Sequence, residues 1–157
     1  MSTGCFLPYV GLGSCLLHMR YIHEFAKKEG PIKILTFSKN LPDALKFDPN
    51  VKEVIVVEKF QKKLFDFFQL SSFLKTLKLK KLYIFKSSLR FYYASKLAGI
   101  LTKSYPFYKK KNLHLVEQAR KFTMKNLKLA NCETETRLFE SEKTLNDTKK
   151  IMQKDRK

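Results

Sequence analysis

The segment CFLPYVGLGSCLLHMRYIHEF, residues 5–25, carries three patterns in succession. Cys5 to Val10 is a short apolar run. Gly11-Leu12-Gly13 interrupts it, and Leu17, Tyr21, Ile22 and Phe25 then recur at three- and four-residue spacing. A run, a glycine turn and a helical stripe read as strand, turn and helix. Gly30-Pro31 ends the helix, and Ile32 to Ser38 sets Ile32, Ile34 and Thr36 against Lys33, Leu35 and Phe37, the pattern of a mostly buried strand. Leu41 to Phe47 predicts a short helix, Asp48-Pro49-Asn50 a turn, and Val54 to Val57 a third strand of β-branched residues. Farther along, Phe67, Leu70, Phe73, Leu74 and Leu77 mark a helix. Lys81 to Lys86 reads as a strand feeding a helix from Ser88 to Leu97, with Gly99 as its stop, and His114 to Leu129 as a last helix. Strands alternating with helices require parallel pairing through crossovers. The expected fold is α/β, a Rossmann-like parallel sheet with helices on both faces, filling residues 1–130. Residues 131–157 read as a polar linker or frayed helical tail.

Composition fits one such core. The 157 residues are 44% hydrophobic and 13% aromatic, with 14 Phe, enough to exclude a wholly disordered chain. The longest uncharged stretch, Met1 to Met19, contains Gly4, Pro8, Gly11 and Gly13 and lacks a basic leader, which argues against a signal peptide or a membrane span of about 20 apolar residues. Three cysteines, Cys5, Cys15 and Cys132, form no CxxC pair, and an odd number points to a reducing, cytoplasmic setting. No metal ligand set is evident. Thirty-two basic residues against 14 acidic ones leave a net charge of +18. Lys59 to Lys111 holds fourteen of the basic residues and a single acid, Asp66. Such a field attracts polyanions, whether phosphosugars, anionic lipid or nucleic acid. Lys outnumbers Arg 27 to 5, so simple solvated charge is the competing account.

Gly11 and Gly13 allow a ligand to approach a helix N-terminus, although by themselves they are better explained by a tight turn without ligand; Ser14 reads as a helix N-cap. Four segments in order extend this reading: GLGSCLLHMRYIHEF (11–25), LPDALKFDPNVKEVIVVEK (41–59), SSLRFYYASKLAG (87–99) and HLVEQ (114–118). Together they resemble the N-terminal half of the ADP-heptose:lipopolysaccharide heptosyltransferases, glycosyltransferase family 9. That resemblance implies one lobe of a two-Rossmann-domain enzyme, the lobe that receives the lipopolysaccharide acceptor. The donor-binding domain that would hold ADP-heptose finds no counterpart after Leu129. The resemblance further implies transfer without a cofactor or essential metal, and an isolated lobe is expected to be inactive, either a truncated form or the partner of a second chain carrying the donor domain.

The resemblance places Ser14 where the family has an aspartate general base, a position at which a hydroxyl is a poor substitute. His18, one helical turn on, is an alternative base, with packing as its ordinary role. Ser87, Ser88 and Arg90 fall on the family's Gly-Ser-Leu-Arg segment, and with Lys86, Gly11 and Gly13 they form the expected acceptor-binding set. Helix capping by either serine and a solvated Arg90 is the plain alternative. Lys103 and Lys109 to Lys111 flank Tyr105, Pro106, Phe107 and Tyr108, a loop suited to an anionic glycolipid at a membrane periphery. The same loop would serve a non-enzymatic module stacking single-stranded nucleic acid. His114 and Glu117, on one helical face, read as a local pair.

Overall fold

Ser2–Leu7 (β1) is the middle strand of a five-stranded parallel sheet ordered β3-β2-β1-β4-β5. In the computed structural model, residues 2–60, 67–106, 114–132, 135 and 139 are described. Along the chain, β1 is followed by α1 (Leu12–Leu16), α2 (Met19–Glu29), β2 (Ile32–Thr36), α3 (Leu41–Ala44), β3 (Val51–Val56) and a 3-10 turn at Glu58–Phe60. Next come α4 (Phe67–Thr76), β4 (Leu79–Ile84), α5 (Leu89–Leu97), β5 (Leu101–Ser104) and α6 (Leu115–Leu127). The chain moves outward from β1 to β3, then returns past β1 to β4 and β5. Crossovers running in opposite directions put their helices on opposite faces.

Two cores result. Cys5, Leu7, Ile32, Ile34, Tyr83 and Phe85 face α2 and α6. Phe6, Leu35, Leu82 and Ile84 face α4 and α5. The period-2 alternation of each strand supplies both layers, which is why the inner strands are nearly continuous apolar runs. Register locks the layers together, with Cys5 opposite Ile34 on one side and opposite Tyr83 on the other. Among the described residues, no helix is long and apolar enough to cross a membrane.

The expected elements are present with shifted bounds. β1 begins three residues earlier than the apolar run and stops before Pro8, which has no N–H to give a ladder. Its first half was obscured by small and polar residues: Thr3 is buried and its hydroxyl donates to Glu29, and the space of a Gly4 side chain is taken by Leu79 and Leu82. The single helix expected from Ser14 is two helices, with Leu17 exposed at the break and His18 starting the second. Ser14 is therefore no N-cap: Gly11 holds that position, in extended backbone at φ −74° and ψ 132°. Gly30, at φ +83°, ends α2, a conformation costly to residues with a Cβ. Asp48-Pro49-Asn50 turns as expected, the Asp48 carboxylate accepting from the backbone N–H of Asn50 at 2.9 Å. Strand β5 was not anticipated. Packing continues to Cys132, whose carbonyl accepts from Arg20 at 2.6 Å, and most of the expected tail lies outside the described residues.

Candidate functional site

The reversal of strand order between β1 and β4 opens a crevice at the carboxyl ends of those strands, where open α/β sheets take their ligands. A cavity of about 280 Å³ lies there, lined by Phe6, Pro8, Phe37, Phe91, Lys86, Ser87, Ser88 and Arg90. Its floor is aromatic: Phe6 stacks on Phe91 with centroids 3.9 Å apart, and Phe37 meets Phe6 edge-on at 5.4 Å. The rim is cationic and hydroxylic. The Arg90 guanidinium donates to the Phe60 carbonyl and lies 5.6 Å over the Phe91 ring, which holds it at the mouth instead of in bulk water. Ser88 occupies the N-cap position of α5 without a side-chain capping bond, and Ser87 donates to the Pro106 carbonyl at 3.3 Å. All four residues expected here on the β4 side, Lys86, Ser87, Ser88 and Arg90, are brought together.

The β1 side is built differently from the expectation. Gly11 and Gly13 are exposed, neither adopts a left-handed φ, a Cβ at either would meet open space, and neither lines this cavity. The turn does not require glycine for its backbone. Tyr9 organises this side: its hydroxyl donates to the Phe85 carbonyl at 2.9 Å, its ring stacks on His18 at 4.9 Å, and Lys86 Nζ lies 5.8 Å from its centroid. His18 is fully buried, edge-on to Phe85, and donates Nδ1–H to the Ser14 carbonyl at 2.7 Å. Burial lowers its pKa to about 4, only partly offset by that hydrogen bond. The ring is thus neutral near pH 7, and its Nε2 has no partner among the described residues. Ser14 and His18 do meet, but through a backbone carbonyl. In this conformation His18 is a core residue that packs against the turn, and its ring bonds the backbone of Ser14 and not its hydroxyl.

A second hollow of about 420 Å³ adjoins the first at Ser87, between the end of β5 and α6. Lys103, Lys121, Lys125, Gln118 and Asn126 surround it, over Phe122 and Tyr105. The α6 members were missed although Gln118, Lys121 and Lys125 stand at three- and four-residue spacing. Tyr105, expected on an exposed stacking loop, is buried against Phe85 and Phe122, so it offers no face to a base. Phe107, Tyr108 and Lys109 to Lys111 of that loop lie outside the described residues. His114 and Glu117 do not pair. His114 accepts from the Val116 N–H, whereas Glu117 binds Arg120 and Lys121, which hold its carboxyl below the usual range. Among the described residues, no three His, Cys, Asp or Glu side chains converge as metal ligands.

No protein-family model matches the chain, and no curated protein matches it in sequence. Solved structures do. A glycosyl transferase family 9 protein from Veillonella parvula superposes with a TM-score of 0.67 at 13% identity, over 98% of this chain and 49% of that one. The E. coli heptosyltransferase WaaC, solved with ADP-2-deoxy-2-fluoro heptose, superposes with a TM-score of 0.60 at 13% identity, over 87% of this chain and 51% of that one. This chain therefore has the fold of one half of these molecules and spans about half their length.

Proposed function

We propose that this chain is the acceptor-side lobe of a heptosyltransferase-like glycosyltransferase, gripping an anionic saccharide acceptor such as the lipopolysaccharide inner core while a donor lobe presents ADP-heptose. The observation that carries this reading is the switch-point cavity, where Lys86, Ser87, Ser88 and Arg90 stand over an aromatic floor. The half-length likeness to the family 9 structures supports it. Cations and hydroxyls suit phosphate or carboxylate, and the Phe6–Phe91 floor suits the C–H face of a sugar ring.

Among the described residues, no carboxylate and no imidazole lines the cavity. The lobe's part in transfer is to hold the acceptor hydroxyl in line with the anomeric carbon as ADP departs, a contribution of position and field. Calorimetric titration with lipid-free phosphorylated inner-core oligosaccharide and its dephosphorylated form tests this. We expect the phosphorylated form to bind more than about tenfold tighter, and the preference to vanish in Arg90→Ala with Lys86→Ala. Equal and salt-labile binding of the oligosaccharide and an unrelated oligonucleotide would instead make the chain a general polyanion binder.

A further inference from the structure

The outer face of α5 is apolar where a water-facing helix is ordinarily polar. Helix α5 buries Phe91, Ala94 and Ser95 on the sheet, yet Leu89, Tyr93 and Leu97, four residues apart on the opposite side, are 55%, 56% and 58% exposed. Phe68, in the first turn of the neighbouring α4, is 72% exposed. The two helices pack side by side and form one outer layer of the molecule. Its charge has one sign. Residues 67–106 contain eight Lys or Arg and no Asp or Glu, and of these Lys75 and Lys96 are exposed on the two helices themselves.

We propose that this face docks on a lipid bilayer bearing anionic headgroups. Phe68, Leu89, Tyr93 and Leu97 enter the boundary between headgroups and acyl chains, and Lys75 and Lys96 meet the headgroup charge. The page favours lipid over other occupants. A second copy would set one acid-free cationic face against another, and nucleic acid gains little from Leu89 and Leu97, which cannot stack on bases. Leu89, Tyr93 and Leu97 also run along one ridge of α5, the arrangement of a helix that lies on a lipid surface. This inference stands apart from the glycosyl-transfer reading, since it invokes no saccharide. If both hold, the cavity beside Arg90 opens next to the membrane plane, because α5 starts at that cavity.

The chain has no Trp, so Tyr93→Trp places a single reporter on the ridge. With vesicles of phosphatidylcholine containing about a third phosphatidylglycerol, its emission is expected to shift to the blue, and with phosphatidylcholine alone to stay put. In sedimentation with the same vesicles, Leu89→Ser with Tyr93→Ser and Leu97→Ser should lower partitioning by at least about tenfold while the thermal midpoint holds. Lys75→Glu with Lys96→Glu should lower it as well, most at low salt. The proposal is overturned if the parent ignores anionic vesicles, if the triple variant binds them as the parent does, or if the blue shift appears on concentrating the protein without lipid.

Discussion

His18 donates its one ring proton to a carbonyl inside the fold, which makes stability depend on pH in a definite direction. The folded-state pKa of about 4 lies below the ordinary 6.5. Between these values the unfolded chain takes up a proton that the folded chain refuses. The contribution is therefore complete above pH 6.5 and is lost as pH falls toward 4, by up to about 3 kcal/mol. Urea unfolding at about pH 7 and about pH 4.5 should show this loss, and His18→Phe, which keeps a ring between Tyr9 and Phe85, should flatten it. Two carboxylates, buried Asp48 and half-buried Glu29, act in a lower window. Burial pushes the Asp48 carboxyl up, but hydrogen bonds from His23 and Asn50 outweigh it; at Glu29 burial is likewise outweighed, chiefly by Lys81, so both sit below the usual range. Their contributions are present above that range and fade only as pH falls through it. A different residue-scale effect sits at Lys128, where α6 ends at φ +54°. Lys128→Gly removes that strain and should raise stability by about 1 kcal/mol in denaturant melts.

At the scale of elements, β5 shows why a polar strand escapes a hydrophobicity-based reading. Buried Thr102 alternates with exposed Leu101 and Lys103, the reverse of the usual assignment of polar and apolar positions. Thr102 is tolerated inside because its hydroxyl lies 2.7 Å from that of Ser95 on α5 and donates to the Ile100 carbonyl at 3.0 Å. The Ile100 bond is local, whereas the Ser95 partner comes only with tertiary packing. Thr102→Val and Ser95→Ala should each cost about 1–2 kcal/mol, and the double variant should cost less than both together by at least about 0.5 kcal/mol, a coupling that a double-mutant cycle in denaturant reads directly. The end of α5, by contrast, was legible. Gly99 at φ +78° donates to the Lys96 carbonyl and Ile100 to that of Ser95, the paired closure that a glycine after a helical stripe announces.

For the whole molecule, a net charge of +18 on 157 residues works against compaction, most of all in the acid-free stretch from β4 to β5. Raising salt from about 0.05 M to about 0.5 M should therefore raise the thermal midpoint while weakening any polyanion binding. Opposite movement of stability and affinity along one salt series is the measurement. Four of the five strands, the helices between them and the parallel pairing could be read from residue pattern, and the Lys86–Arg90 half of the cavity from the family resemblance of its segment. They rest on local rules: two-residue and 3.6-residue periods, glycine and proline stops, and the short reach between a strand end and the next helix. The other half could not be read that way. Whether His18 faces solvent or core, whether Tyr105 is offered or buried, and which phenylalanines floor the cavity depend on contacts between β1, β2, β4 and α5, residues tens of positions apart. Periodicity says that a side chain has a buried face, whereas only the packed sheet says what that face touches.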